Sequence, residues 1–154
     1  MKIGLVIYSQ TGNTMSVAKE IQKKLTENGH EAAIEKIEAV GAESNARESF
    51  AFTSIPKPLG YDKLILAAPV QAFSLNGVMK KYLKEYFKTD AQTFGCLVTQ
   101  HFKFSWMGGS KAVRAITSLC AAKGVKCEKS AIVHWSSAQR QREIDAAVQA
   151  LSEV

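Results

Sequence analysis

Long apolar runs are missing from this chain of 154 residues. No stretch approaches the roughly 20 residues that a membrane-spanning helix needs, so a helical membrane protein is excluded. Cysteine is scarce. Cys96, Cys120 and Cys127 are odd in number and lack metal-ligand spacing, so neither a disulfide framework nor a zinc site is expected. Each is expected to fill an apolar position. The three histidines, His30, His101 and His134, carry no metal motif, and position along the chain suggests no Ser-His-Asp or Cys-His arrangement. Repeats, low-complexity tracts and compositional breaks are absent too, and one domain covering residues 1–154 is expected. Met1-Lys2 runs straight into an apolar stretch, which leaves no room for a signal peptide and makes a cytoplasmic protein the expectation.

What is present is ordinary for a soluble globular domain: 46% hydrophobic and 22% charged residues. The net charge of +6 and pI near 9.3 raise nucleic acid as a partner. The cations, however, are scattered: Lys19, Lys23 and Lys24 on one helix, Lys80, Lys81, Lys84 and Lys88 on another. Solvated helix faces are the better reading, and neither nucleic acid nor membrane is expected as a partner.

The first twenty residues are the most informative. Ile3-Gly4-Leu5-Val6-Ile7-Tyr8 leads into Ser9-Gln10-Thr11-Gly12-Asn13-Thr14, and Val17, Ala18, Ile21 and Leu25 then recur at helical spacing. A buried strand, a hydroxyl-rich turn and a helix start build an anion site, because the helix start leaves N–H groups unpaired at the positive end of its dipole. Ser9, Thr11 and Thr14 add hydroxyl donors, and Gly12 permits a close approach. No Lys or Arg lies inside the loop, so a phosphate there would be held by N–H and O–H groups. The bland alternative is that Thr11 or Asn13 merely caps the helix. The loop is neither a Walker loop nor a Gly-x-Gly-x-x-Gly turn.

Strands and helices alternate after that. Strands are expected at Lys2–Tyr8, Glu31–Ile37, Tyr61–Ala68, Thr93–Thr99 and Lys126–Val133. Helices are expected at Asn13–Asn28, Leu75–Phe87, Gly109–Lys123 and Ser137–Ser152, with a short one over Glu43–Phe52 and an extended connector at Ile55-Pro56-Lys57-Pro58. The second strand alternates apolar and charged residues, as an edge strand does. Such alternation implies a parallel sheet covered by helices on both faces, with ligands bound at the C-terminal strand ends.

The loop Ser9-x-Thr11-Gly12-Asn13-Thr14 after an N-terminal strand resembles the phosphate loop of flavodoxins and related FMN proteins. Two later segments extend the resemblance over nearly the whole chain. Pro69-Val70-Gln71-Ala72-Phe73-Ser74 follows the third strand as the second flavin loop does. Phe73 stands near the position where many relatives carry a glycine, the nearest glycine here being Gly77, and it is expected either to pack on the flavin or to fill the core. Thr99-Gln100-His101-Phe102-Lys103-Phe104-Ser105-Trp106-Met107-Gly108-Gly109 is similar to the third flavin loop. The acids and phosphorylatable Asp of a response-regulator receiver, which shares this fold, are missing.

The resemblance implies a three-layer α/β/α sandwich with a five-stranded parallel sheet of order 2-1-3-4-5, binding FMN non-covalently. The phosphate is expected in Ser9–Thr14, and the ring between Pro69–Ser74 and Thr99–Gly109. Trp106 is the first choice to cover the ring, with Phe102 and Phe104 as further candidates or as contacts with the core or a second subunit. His101 is expected to have a surface or hydrogen-bonding role. The implied function is a low-potential electron carrier exchanging electrons with a redox partner protein or small-molecule acceptor. The alternatives are an FMN-dependent NAD(P)H:quinone-type oxidoreductase and a cofactor-free binding module of the same fold. The basic charge departs from the acidic balance common in electron-carrying flavodoxins.

Overall fold

The computed structural model describes residues 1–41 and 49–154. Strand β1, Lys2–Ile7, has Ile3, Leu5, Val6 and Ile7 fully buried, as a strand covered on both faces must. It lies between β2, Glu31–Lys36, and β5, Lys63–Gln71, with Leu5 opposite Ile34 and Ile65. Strand β7, Thr93–Gln100, pairs with β5, and β8, Lys126–His134, pairs with β7; all of these pairings are parallel. The order β2-β1-β5-β7-β8 is the expected 2-1-3-4-5 order once only the long parallel strands are counted.

Successive residues of β1 face opposite sides of the sheet. Ile3, Leu5 and Ile7 pack with Val17, Ile21 and Leu25 of α1, Asn13–Glu27, and with Ala147 and Leu151 of α4, Arg140–Ser152. Val6 and Tyr8 face the other cluster, with Val78, Met79, Tyr82, Leu83, Ile116 and Cys120. Those residues come from α2, Gly77–Lys81, its continuation as a π turn over Tyr82–Tyr86, and α3, Gly109–Ala121. Two apolar layers on one sheet make the α/β/α sandwich.

Several boundaries differ from expectation. The helix expected over Glu43–Phe52 falls partly on residues outside those described. From Ala51 the chain is strand β4, Ala51–Ser54, antiparallel to β3, Glu38–Val40. Its aromatic and β-branched residues suit a half-buried ribbon, and Phe52 packs edge-on against Tyr86 with centroids 5.1 Å apart. Strand β5 continues past Ala68 to Gln71 and folds back through β6, Ser74–Leu75. The helix expected from Leu75 therefore begins at Gly77, capped by Asn76, whose side-chain oxygen accepts from Val78 N at 2.8 Å. Helix α4 starts at Arg140 rather than Ser137, because Ser137 Oγ accepts from Gln139 N and holds a turn.

Cys96, Cys120 and Cys127 are free. Burial pushes the Cys120 thiol up to about 12, which removes it from thiolate chemistry. Among the described residues no group of His, Cys, Asp and Glu could hold a metal, and no helix is long and apolar enough to cross a membrane.

Candidate functional site

The C-terminal ends of β1, β5, β7 and β8 converge on one edge of the sandwich, and the three sequence-marked segments meet there. In the first, Gly12 occupies the N-cap of α1 at φ +92°, with no side-chain cap. That left-handed conformation, in a position where a Cβ would meet nothing within 4 Å, is open to a ligand and favours glycine. Thr11 and Asn13 therefore do not cap the helix. Ser9 Oγ accepts from Met15 N at 3.2 Å, while the N–H groups of Asn13 and Thr14 have no acceptor within the helix. Gln10 and Thr11 are exposed.

Thr14 behaves differently from the outward donor expected of it. It is buried, and its hydroxyl bonds that of Thr99 at 2.7 Å, because the first turn of α1 lies against the end of β7. Thr14→Val strands the Thr99 hydroxyl in the interior, so a loss of about 1–3 kcal/mol is expected. Changing both threonines to valine should recover most of it. Urea midpoints measure this, and a single variant as stable as the parent would show that each hydroxyl bonds water instead.

The parallel pairing of β2 with β1 sets Ile7 opposite Lys36. Beside the loop this leaves a shallow cavity of about 250 Å³ lined by Ile7, Ser9, Gly12, Met15, Lys36, Ile37 and Glu38. A cation thus stands next to a loop that contains none. Sequence reading missed it, although the 2-1 strand order places the end of β2 there.

The second segment is a hairpin rather than an irregular loop. Pro69, Val70 and Gln71 belong to β5, and the two-residue turn Ala72-Phe73 has φ +50° and +60°. Two left-handed residues make a type I′ geometry normally given to Asn-Gly, so the surroundings must enforce it. Asn76 Nδ2 donates to Gln71 Oε1 at 2.7 Å, and Asn76 N donates to Pro69 O at 3.2 Å. Phe73 is 55% exposed, so it does not fill the core. Its ring stacks on Phe102 at 5.5 Å and 12°.

The third segment is folded by a side chain that sequence reading gave no special part. Gln100 is buried, and its Nε2 donates to Phe102 O at 2.7 Å and Phe104 O at 2.6 Å. Those bonds pull residues 101–104 into a tight bend. Gln100 Oε1 is buried without a partner and lies where a Cβ on Gly109 would be. A short 3₁₀ turn, Ser105–Met107, and Gly108 then lead into α3. Phe104 stacks on Trp106 at 6.1 Å and 10°. Phe102, Phe104 and Trp106 are all exposed, Trp106 by 79%. His101 is exposed and meets Phe102 edge-on. Four exposed aromatic rings, counting Phe73, gather in these two segments as a candidate binding surface.

Gly108 joins the second and third segments. A Cβ there would lie 2.6 Å from Val70 Cγ1 and 2.8 Å from the Phe73 carbonyl carbon. The two segments expected to clasp a ring between them are therefore in direct contact at this point.

A further constellation departs from expectation. His134, at the end of β8, bonds Ser105 Oγ through Nε2 at 3.0 Å and Glu143 Oε1 through Nδ1. Spacing along the chain could not show this, because three different elements supply the residues.

Neither a protein-family model nor a curated protein matches this sequence. Solved structures do. The chain is similar to the flavodoxin of Streptococcus pneumonia TIGR4, with TM-score 0.64 and 18% identity over 99% of this chain and 98% of that one. It is similar to an NAD(P)H:quinone oxidoreductase from Methanothermobacter marburgensis, with TM-score 0.65 and 14% identity over 99% and 97%. An azoreductase from Bacillus anthracis str. Sterne gives TM-score 0.64 and 9% identity over 99% and 97%. The chain has the flavodoxin-like fold.

Proposed function

We propose that this chain binds one FMN non-covalently and serves as a low-potential electron carrier in the cytoplasm. The observation that carries the reading is the start of α1. Asn13 and Thr14 N–H groups without helical acceptors, an exposed Thr11 hydroxyl and a glycine N-cap stand at the positive end of a fifteen-residue helix. That donor set fits a phosphate dianion, and Lys36 beside it adds charge attraction. The aromatic faces of Phe73, Phe102, Phe104 and Trp106 fit a flat, apolar ring system and would exclude water from it. When bound, FMN supplies the redox chemistry; the residues here hold its phosphate and cover its ring.

A second reading is an FMN-dependent NAD(P)H:quinone-type oxidoreductase. The net charge of +6 and the width of the exposed aromatic surface favour it, since both suit a planar or anionic second substrate. A cofactor-free module is the third reading; the Asn13 and Thr14 N–H groups without helical acceptors weigh against it. The expected partner is a redox protein or a small electron acceptor, with Phe104 and Trp106 available as the contact in a homodimer.

Titration by flavin fluorescence tests the cofactor. FMN is expected to bind at least about tenfold more tightly than riboflavin, the equivalent of one charge-assisted hydrogen bond. Equal affinities would remove the phosphate site. Rapid mixing of the FMN-loaded protein with NADH and NADPH separates the first two readings. A carrier is reduced slowly by both, and fast reduction would make the protein a reductase.

A further inference from the structure

We propose that Ser105, His134 and Glu143 form an acyl-transfer centre acting on small aryl esters, separate from the phosphate-binding loop. The three side chains form a continuous hydrogen-bonded chain. A carboxylate only accepts, so the bond between Glu143 Oε1 and His134 Nδ1 places the proton on Nδ1. The backbone N–H of His134 also donates to Glu143 Oε1, at 3.3 Å, and steadies the carboxylate. In the neutral ring Nε2 is then a lone pair, facing Ser105 Oγ at 3.0 Å. This is the tautomer and geometry in which an imidazole takes a proton from an attacking hydroxyl. The His134 and Glu143 side chains are only 13% and 23% exposed, so bulk water screens the relay weakly.

The surroundings of Ser105 suit an acyl acceptor. Phe104 and Trp106 flank it in sequence and stack with near-parallel rings, both exposed. In the flavin-free chain they offer an apolar platform for an aryl leaving group, on faces that the FMN proposed above would otherwise cover. Three residues on, Gly108 is the N-cap of α3 and provides no side-chain cap, so the first N–H groups of that helix have no acceptor within it. A helix start near the nucleophile favours negative charge developing on a carbonyl oxygen. The backbone around the centre is fixed from both sides: Trp135 N donates to Gln100 O at 2.7 Å, and Ser136 N donates to His101 O at 3.0 Å.

The step balances without a further reagent. Ser105 Oγ forms a bond to the ester carbonyl carbon while its proton passes to His134 Nε2. The bond from that carbon to the aryl oxygen breaks, and the leaving phenol takes the proton. Water then attacks acyl-Ser105 with the same imidazole as base, releasing the carboxylic acid and restoring the hydroxyl. Ser105 and His134 are catalytic residues in this scheme, and Glu143 is a positioning residue.

The test uses the full chain freed of flavin, with a fluorophosphonate probe and p-nitrophenyl acetate. The hydroxyl should displace fluoride from the probe, and peptide mass spectrometry should find one phosphonyl adduct, on Ser105. Release of p-nitrophenol should exceed the buffer rate and be lost in Ser105→Ala. Glu143→Gln should lower kcat by roughly two orders of magnitude or more with KM unchanged; a purely structural bond would not split the two constants that way. No adduct on Ser105 in the parent protein, or an adduct elsewhere, overturns the proposal without reliance on any variant's folding. Release that persists in folded Ser105→Ala overturns it equally.

Discussion

Gly108→Ala is expected to destabilise the protein by roughly 2–6 kcal/mol and to disorganise the loops at the C-terminal strand ends together with it. Two costs combine. At φ +122° a side chain is strained whatever the space around it, for about 1–3 kcal/mol. Its Cβ would also lie 2.6 Å from Val70 Cγ1 and 2.8 Å from the Phe73 carbonyl carbon, and forcing an extra carbon into packed surroundings costs about 1–3 kcal/mol more. The neighbours cannot yield cheaply, because Phe73 is already held left-handed in a two-residue turn. Gly124→Ala serves as the control. Gly124 has φ +79° and open space at its Cβ position, so only backbone strain of about 1 kcal/mol is expected. The urea midpoint at constant slope measures both. Equal losses in the two variants would show that the hairpin tip and the third segment do not bear on each other. FMN affinity should fall in Gly108→Ala and stay unchanged in Gly124→Ala.

Phe94→Ala should be equally costly and functionally silent. Phe94 is fully buried on β7, opposite Leu64 of β5 and Cys127 of β8, and belongs to the apolar layer under α2 and α3. Truncating such a ring costs about 3–5 kcal/mol, the transfer energy of the lost atoms plus the cavity they leave. Phe94 lies six residues before Gln100 on the same strand, about 20 Å from the site at the rise of a β-strand. The affinity of the folded fraction for FMN should therefore match the parent's. A fall in that affinity alongside the midpoint would mean that the core sets the geometry of the loops directly. The contrast with Gly108→Ala separates what keeps the chain folded from what shapes the loops of the proposed site.

The layered architecture was legible because period and punctuation agree. Ile3 to Tyr8 and Leu64 to Ala68 are apolar without interruption, which only a doubly covered strand tolerates. Val17, Ile21 and Leu25 repeat at helical spacing, and Asn28-Gly29 ends that helix where expected. The hairpin after β5 was not legible. Pro69 and the polar Gln71 read as a loop, and nothing in Ala72-Phe73 announces a turn usually written Asn-Gly. Asn76 ties the base of that turn through Gln71 and Pro69, and Gly108 leaves room for its tip; neither residue is adjacent to it. The same holds for Gln100. A polar residue after an apolar strand reads as the edge of a loop, yet its burial follows from the two carbonyls that it collects.

Periodicity in the sequence alone implied a parallel sheet covered by helices on both faces, because the spacing of apolar residues encodes strands and helices directly; the strand order came with the family resemblance, and the structure bears it out. The sequence also made Ser9–Thr14 a candidate anion loop, since the donors there are neighbours along the chain. Only the tertiary structure turned Thr14 inward onto Thr99, brought Lys36 beside Gly12, closed Phe73 against Gly108, and joined Ser105 to His134 and Glu143. Each of these pairs residues from different elements. Which side chains meet across a parallel sheet depends on register and on the packing of helices over it. Those are set by the summed burial of both apolar layers rather than by any short stretch of chain.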